Sequence, residues 1–128
     1  MRKSIIMLAS LVGIILAIQS CYYEYPPVPS PIEPEDVSFN THILPILTEK
    51  CGTTECHDGT KKPDLRAANA YRELKSGGYY NVTFPEDSKI YVSITDGIGG
   101  LVMPPSGSVS QLDQELILTW IAKGAPND

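Results

Sequence analysis

The chain has 128 residues, a formal net charge of −5 and a mean hydropathy of −0.07. Its length allows one domain of ordinary size and excludes large multidomain architectures. The acidic balance argues against nucleic acid and anionic membrane surfaces as partners.

The first twenty residues have the pattern of an export signal. Arg2 and Lys3 give a positive start, and the apolar run from Ile5 to Ile18 is short for a transmembrane helix. The run ends in Ile18-Gln19-Ser20-Cys21, which resembles a bacterial lipobox. We therefore expect residues 1–20 to be a lipoprotein signal peptide and Cys21 to be lipidated. An ordinary signal peptide and an uncleaved anchor helix are the alternatives.

Lipidation at Cys21 predicts a protein of the cell envelope, facing the periplasm or the cell exterior, because two or more acyl chains give stable anchoring. Loss of Arg2 and Lys3 changes the formal charge from −5 to −7, since all fifteen acidic residues follow residue 20. This charge favours a basic protein surface as partner. Of the three cysteines, Cys51 and Cys56 then remain as a pair.

Residues 21–36 form a proline-rich segment that predicts a tether. Proline at this density excludes a helix or a central strand and favours an extended polyproline II spacer. At about 3.1 Å per residue, the segment would hold the domain roughly 45 Å from its anchor. The prolines are Pro26, Pro27, Pro29, Pro31 and Pro34.

Residues 37–128 remain for a single small domain, whose core is limited and often needs a covalent or metal staple. Its first helix is predicted from apolar residues at helical spacing that lead directly into Cys51. Pro45 leaves two starts open, one near Thr41 or His42 and one at Ser38 with a bend. The apolar residues are Phe39, Ile43, Ile46 and Leu47.

The helix leads into two cysteines followed directly by a histidine, which is the pattern of a c-type haem site. Cys51 and Cys56 can each form a thioether with a haem vinyl group, and the imidazole of His57 can then bind the iron as proximal ligand. Four residues separate the cysteines here, where two are usual. A covalent haem would also supply a large apolar body for the small core.

Two shorter helices are predicted in the middle of the domain. The first spans Asn69 to Lys75 and stops at Gly77-Gly78, and the second spans Pro85 to Thr95 and stops at Gly97. Residues 79–84 are the only candidate strand, so the domain is predicted to be mostly α. The residues expected to face inward are Tyr71, Leu74, Ile90, Tyr91 and Ile94.

Met103 is the only methionine left after removal of the signal peptide, and it stands in a loop before Pro104 and Pro105. As the second axial ligand it would donate a soft thioether sulfur, which raises the reduction potential of haem iron. Two alternatives stay open. Met103 could fill a gap in the core, or His42 could be the distal ligand of a bis-histidine haem.

The last helix is predicted to begin at Ser110, with Asp113 completing an approximate capping box, and to end at Gly124 and Pro126. One of its faces carries apolar residues at helical spacing. These residues are Leu112, Leu116, Ile117, Trp120 and Ile121.

From Phe39 to Ala125 the chain resembles the small c-type cytochrome domains of bacterial exported proteins and lipoproteins. The resemblance rests on ordered motifs: Ile43-Leu44-Pro45-Ile46-Leu47, Cys51 with Cys56-His57, Pro63-Asp64-Leu65, Met103-Pro104-Pro105, Leu116-Ile117-Leu118-Thr119-Trp120-Ile121, and Gly124-Ala125.

The resemblance implies a class I cytochrome c fold, in which the N- and C-terminal helices cross beside one covalently bound haem c. By position it implies thioethers on Cys51 and Cys56, proximal ligation by His57 and distal ligation by Met103. The wider spacing of the cysteines is the departure from the usual motif.

A haem with both axial positions filled by the protein has no free position for a substrate, so we expect a monohaem electron carrier between redox partners and not an enzyme. Two hypotheses of other classes stay open. One is a haem-free structural or interaction lipoprotein with a disulfide between Cys51 and Cys56. The other is a zinc or copper site made from Cys51, Cys56, His57 and Met103.

Overall fold

Residues 36–128, which the computed structural model describes, are mostly helical, as predicted. Four helices are joined by irregular segments, and the β-pairing in this part of the chain is a single bridge between Ile98 and Leu101. Within the same residues, no helix has the length and apolar character needed to span a membrane. The predicted signal peptide, Cys21 and the tether as far as Glu35 lie outside the described residues.

Helix α1 runs from Phe39 to Cys51 in three consecutive stretches. Phe39–Ile43 and Leu47–Cys51 are wound as π-helix, and Leu44–Ile46 between them is α-helical. The Ser38 hydroxyl accepts the Thr41 N–H at 3.2 Å, so the helix starts at Ser38, which is the earlier of the two predicted starts.

Pro45 explains the change of winding within α1. Its ring lacks an N–H and, in an α-helix, would crowd the carbonyl four residues earlier. The turn ahead of it is wider, with the Leu44 N–H bonded to the Phe39 carbonyl five residues back. The helix therefore continues through Pro45, and Cys51 is its last residue.

Helix α2 spans Ala70–Ser76 and ends at Gly77, within one residue of the prediction. Helix α3 spans Lys89–Thr95, and a separate 3₁₀ turn, Pro85–Asp87, precedes it. The prediction of one helix from Pro85 to Thr95 was therefore wrong. Ser88 separates the two pieces, because it is extended (ψ 130°) and its buried hydroxyl accepts the N–H of Asn81 at 2.9 Å.

The candidate strand at residues 79–84 forms a turn. The side-chain oxygen of Asn81 accepts the backbone N–H groups of Thr83 at 3.0 Å and Phe84 at 3.2 Å. An asparagine that bonds to the backbone two or three residues ahead folds the chain into an Asx turn, which competes with strand pairing.

Helix α4 spans Gln111–Ala122 and begins as predicted, with the Ser110 hydroxyl accepting the Asp113 N–H at 3.1 Å. Ile117, Trp120 and Ile121 are buried on its inner face, but Leu112 is 59% exposed, so its predicted inward position was wrong. The helix stops before Gly124, whose φ of +102° belongs to the left-handed region that glycine adopts without strain.

The core joins the first and last helices. Phe39 of α1 and Trp120 of α4 are 2% and 0% exposed, and their ring centroids lie 5.4 Å apart. Tyr71 of α2 meets the Phe39 ring edge-on at 5.2 Å. Asp128 also forms hydrogen bonds to the start of α1. Its carboxylate accepts the Phe39 N–H and its carbonyl oxygen accepts the Asn40 N–H, both at 2.8 Å. Burying an aromatic side chain contributes about 1.5–3 kcal/mol to stability.

Candidate functional site

The segment between the two cysteines closes on itself at the end of α1. The N–H of Cys56 bonds to the Thr53 carbonyl, and the N–H of His57 bonds to the Cys51 carbonyl, each at 3.0 Å. Residues 53–55 are exposed, while both cysteines and the histidine are half-buried. The wide spacing is thus accommodated by an outward loop that returns Cys56 and His57 to the end of the helix.

Gly52 lets a second segment approach this loop closely. A Cβ atom on Gly52 would lie 2.8 Å from the carbonyl oxygen of Leu65, which is too close for any other residue without a backbone shift. The Leu65 N–H also bonds to the His57 carbonyl at 2.8 Å. The stretch Pro63 to Leu65, buried throughout, therefore packs directly against the cysteine-histidine loop.

The ring of His57 is oriented by this second segment. Its Nδ1 lies 3.0 Å from the carbonyl oxygen of Pro63. A carbonyl oxygen only accepts, so Nδ1 carries the proton in this bond, and in the neutral imidazole Nε2 then has the lone pair. A histidine that ligates a metal through one nitrogen commonly donates the other N–H to a backbone carbonyl. His57 therefore has the tautomer that an iron ligand requires.

A buried carboxylate fixes the segment that carries Pro63. Asp64 is 5% exposed and accepts bonds from the Arg66 side chain at 2.9 and 2.6 Å and from the Asn69 amide at 2.6 Å. The Arg66 guanidinium holds the pKa of Asp64 well below its usual range, against the opposing effect of burial. Asp64 is therefore charged at neutral pH and anchors the turn that leads into α2.

The two cysteines are free thiols that lie close enough for Cys56 to act on Cys51. Burial raises the pKa of the Cys51 thiol from 9.0 to about 11, and the nearby Cys56 adds to this effect. The Cys51 position thus favours uncharged sulfur.

Met103 is held by α3 and not by the cysteine-histidine loop. Its N–H bonds to the Ser93 carbonyl at 2.7 Å, and its half-buried side chain packs against the same hydrophobic core as Cys51. The turn ahead of it is closed by the bridge between Ile98 and Leu101, with Gly99 and Gly100 at φ of +64° and +82°.

The loop that presents Met103 also exposes apolar side chains. Ile98, Leu101 and Val102 are 54%, 50% and 38% exposed. Apolar residues clustered on a surface mark a place where a ligand or partner removes them from water. A haem ring is an apolar body of the kind that such a loop can cover.

His42, the alternative distal ligand, lies in the first turn of α1, where its Nδ1 accepts the Ser38 N–H at 3.0 Å. This bond helps to hold the N-terminal end of α1. Residues 36–128 contain no group of three or more His, Cys, Asp or Glu side chains arranged to hold a metal ion.

A cavity of about 350 Å³ lies elsewhere, between the 3₁₀ turn and the outer face of α4. Phe84, Pro85, Leu118 and Ala122 line it, and it includes none of the four residues predicted to hold haem. The predicted site is therefore not this cavity.

Sequence reasoning missed the residues that orient His57. Pro63 and Asp64 were noticed only as part of a motif, because a backbone carbonyl has no signature of its own in a sequence. It also missed a separate ion pair, in which the Lys62 Nζ lies 2.8 Å from the Glu73 carboxylate. The spacing of eleven residues between them follows no local rule.

No protein-family model, no curated protein and no solved structure matches this chain.

Proposed function

We propose that this protein is a c-type cytochrome with one covalent haem, which carries single electrons between redox partner proteins and is not an enzyme. The observation that carries the proposal is the bond from His57 Nδ1–H to the Pro63 carbonyl oxygen. This bond leaves Nε2 available as a donor, beside the two free thiols of Cys51 and Cys56.

In this proposal, each cysteine forms a thioether by adding its S–H across a vinyl double bond, so that sulfur and hydrogen both go to carbon and no oxidant is needed. When bound, the haem supplies an iron centre that gains and loses one electron. His57 would hold the iron through Nε2, and Met103 would supply its thioether sulfur. Two protein ligands leave no open position for a substrate, which favours electron transfer over catalysis.

We further propose a class I cytochrome c fold. The packing of α1 against α4 through Phe39 and Trp120 supports it, as does the position of Met103 in an irregular loop before the last helix. In such a fold the first and last helices cross beside the haem.

The proposal includes the cell envelope as location, with lipid on Cys21 and the proline-rich tether holding the domain away from the membrane. Redox partners with basic docking surfaces are proposed from the net charge of −5, which becomes −7 without Arg2 and Lys3. Acidic groups on the haem itself would add to this charge.

The alternative is a haem-free lipoprotein in which Cys51 and Cys56 form a disulfide. The effect of Cys56 on the pKa of Cys51 supports it, because this effect requires the two thiols to lie near each other. His57 and Met103 would then have no chemical role, and the bond that orients His57 would be unexplained. The covalent haem accounts for more of the site.

The test of the proposed function is a redox titration of the mature protein, produced in a host that attaches haem to cytochromes c. We expect reversible reduction with the slope of a one-electron couple and no binding of carbon monoxide, since both axial positions are filled. Cys51→Ser/Cys56→Ser is the control and should carry no covalent haem. Irreversible reduction, or carbon monoxide binding by the unaltered protein, would contradict the proposal.

A further inference from the structure

A second candidate site shares no residue with the predicted haem site. It is the cavity of about 350 Å³ between the 3₁₀ turn and the outer face of α4. Pockets for small ligands measure about 300–1,000 Å³, so this one has room for a side chain rather than for a large cofactor. Its lining has an apolar part, formed by Phe84, Pro85, Leu118 and Ala122, and an acidic part, formed by Glu86 and Asp87.

Hydrogen bonds within the turn hold one wall of this cavity in place. The side-chain oxygen of Asn81 accepts the Phe84 N–H at 3.2 Å. The Phe84 carbonyl accepts the Asp87 N–H at 3.0 Å, and the Pro85 carbonyl accepts the Ser88 N–H at 3.1 Å. A ligand therefore meets a wall whose backbone is already ordered, which lowers the entropy cost of binding.

The aromatic ring in this wall faces water. Phe84 is 61% exposed, more than any other large hydrophobic residue in the part of the chain that the structure describes. Single exposed apolar residues are common on protein surfaces, but this one lines a concave site. The face of an aromatic ring attracts cations, so Phe84 offers a contact that suits a positively charged ligand.

The two carboxylates of the lining are exposed and belong to none of the ion pairs formed among residues 36–128. The lysine nearest to them in the sequence, Lys89, lies over the Tyr79 ring instead, 5.9 Å from its centroid. Acidic side chains ahead of a helix stabilise its N-terminal end, and α3 begins at Lys89. This effect accounts for the charges but not for the cavity or for the exposed ring.

We propose that this cavity binds an arginine side chain of a partner protein. The aliphatic part of the arginine packs against Leu118 and Ala122, and its guanidinium meets the Phe84 ring and the two carboxylates. A planar guanidinium stacks on aromatic rings and binds carboxylates through paired hydrogen bonds, whereas a lysine ammonium is a compact point charge. The net charge of −5 attracts basic partners to the domain.

This inference goes beyond the proposed function, because it requires no haem. It gives the basic partners of this protein a defined contact on the domain, at a place that the haem-binding residues do not share.

The test is an NMR titration of the mature protein, in its reduced state, with the peptide acetyl-Gly-Arg-Gly-amide. The matched probe contains citrulline in place of arginine, which keeps the length of the side chain and removes its charge. The variant Glu86→Gln/Asp87→Asn removes the acidic part of the lining. Its control is Glu49→Gln/Asp96→Asn, which removes two exposed carboxylates from other helices.

A second pair of variants tests the aromatic ring. Phe84→Ala removes the ring from the cavity. Val82→Ala is its control, since Val82 is 48% exposed in the same turn but does not line the cavity. All the substituted side chains are exposed, and urea denaturation of each variant checks that it folds as the unaltered protein does.

We expect the arginine peptide to cause saturable shifts of the amide resonances of residues 83–87 and 118–122. It should bind about tenfold more tightly than the citrulline peptide, since each exposed ion pair contributes up to a few-fold. Glu86→Gln/Asp87→Asn should remove this difference, and Phe84→Ala should weaken binding about two- to fivefold. Both control variants should bind almost as the unaltered protein does, because separated surface charges are screened by salt.

Four results would overturn the inference. Equal binding of the two peptides would show that the cavity selects apolar groups and not a cation. Shifts that do not saturate, or equal weakening by the two double variants, would show attraction to the acidic surface as a whole. Shifts of the same resonances with protein concentration, in the absence of peptide, would assign the cavity to a second copy of the chain.

None of these results concerns haem, so each leaves the proposed function standing. A mature protein without covalent haem that binds the arginine peptide in the cavity would contradict the proposed function and support this inference.

Discussion

At the residue scale, the candidate site depends on a few atoms whose protonation is set by neighbouring groups. The Pro63 carbonyl places the proton of His57 on Nδ1, and burial keeps the sulfur of Cys51 uncharged. These effects come from a backbone carbonyl, from desolvation and, for Cys51, from the neighbouring Cys56. Substitutions at single residues can therefore separate ligation, attachment and folding.

Met103→Ala tests the distal ligand. We expect the variant to keep its covalent haem but to bind carbon monoxide, because the sixth position opens when the thioether is removed. Val102→Ala changes the exposed neighbour and should bind none. Absorption spectra of the reduced proteins with and without carbon monoxide give the answer. Unchanged spectra in Met103→Ala, together with carbon monoxide binding in His42→Ala, would show that His42 is the ligand instead.

His57→Ala tests the proximal ligand. We expect the variant to lose stable iron ligation, because no other described imidazole stands next to the cysteines. His42→Ala is the matched control, since it removes the other imidazole and disturbs only the Ser38 bond. The measurement is the absorption spectrum of each matured variant. A His57→Ala protein with the original spectrum would contradict the assignment.

Asp64→Asn tests the buried carboxylate and has a defined pH dependence. The Arg66 guanidinium lowers the pKa of Asp64 in the folded state below the ordinary value of 3.8. A lowered carboxylate pKa adds stability that is present above about pH 4 and is lost as pH falls through the folded-state pKa. The unaltered protein should therefore resist urea better than Asp64→Asn at pH 7, and this advantage should shrink below pH 3.8.

The matched control for this prediction is Asp96→Asn, which removes one exposed carboxylate at the end of α3. It should change the urea midpoint little at either pH. An advantage over Asp64→Asn that stays constant from pH 7 down to pH 2.5 would mean that Asp64 contributes packing and not charge.

At the element scale, helical spacing predicted which residues are buried wherever a helix is long and packed on one side. All four residues predicted to form the apolar face of α1, and three of the five predicted for α4, are buried. The predicted inward position of Leu112 was wrong because the first turn of α4 projects beyond the core. The break between the 3₁₀ turn and α3 could not be predicted from the sequence. It depends on the bond from the Asn81 backbone N–H to the Ser88 hydroxyl, and no sequence pattern indicates this bond.

The candidate site, too, was predictable from the sequence only in part. Side-chain donors with a fixed spacing, Cys51, Cys56 and His57, were visible in the sequence. The group that orients His57 was not, because the backbone carbonyl of Pro63 is brought to it only by the fold. Sequence spacing reveals covalent patterns, and hydrogen bonds between distant segments require the structure.

Ile117→Ala and Leu112→Ala test the assignment of the inner face of α4. Ile117 is 1% exposed and its truncation leaves a cavity, so we expect a loss of about 2–5 kcal/mol in the free energy of unfolding. Leu112 is 59% exposed, and its truncation should change this free energy by less than about 0.5 kcal/mol. Urea denaturation of both variants gives the comparison. Equal losses would mean that the face is assigned incorrectly.

At the scale of the whole molecule, the small helical domain would form one consistent design with the predicted export signal and the predicted tether. A domain of this size has a limited core, and a covalent prosthetic group would add apolar contacts to it. A lipid anchor with an extended spacer would keep the domain near a membrane while allowing it to reach partners. The acidic charge would then select partners with basic surfaces.

The central claim is that Cys51 and Cys56 carry haem. The most direct test is the absorption spectrum of the mature protein, produced in a host with cytochrome c maturation, reduced, and measured again after denaturation and acid–acetone extraction. We expect a sharp α-band that persists through both treatments, because thioether bonds survive them. A colourless protein from a competent host would contradict the claim and would favour a disulfide between the two cysteines.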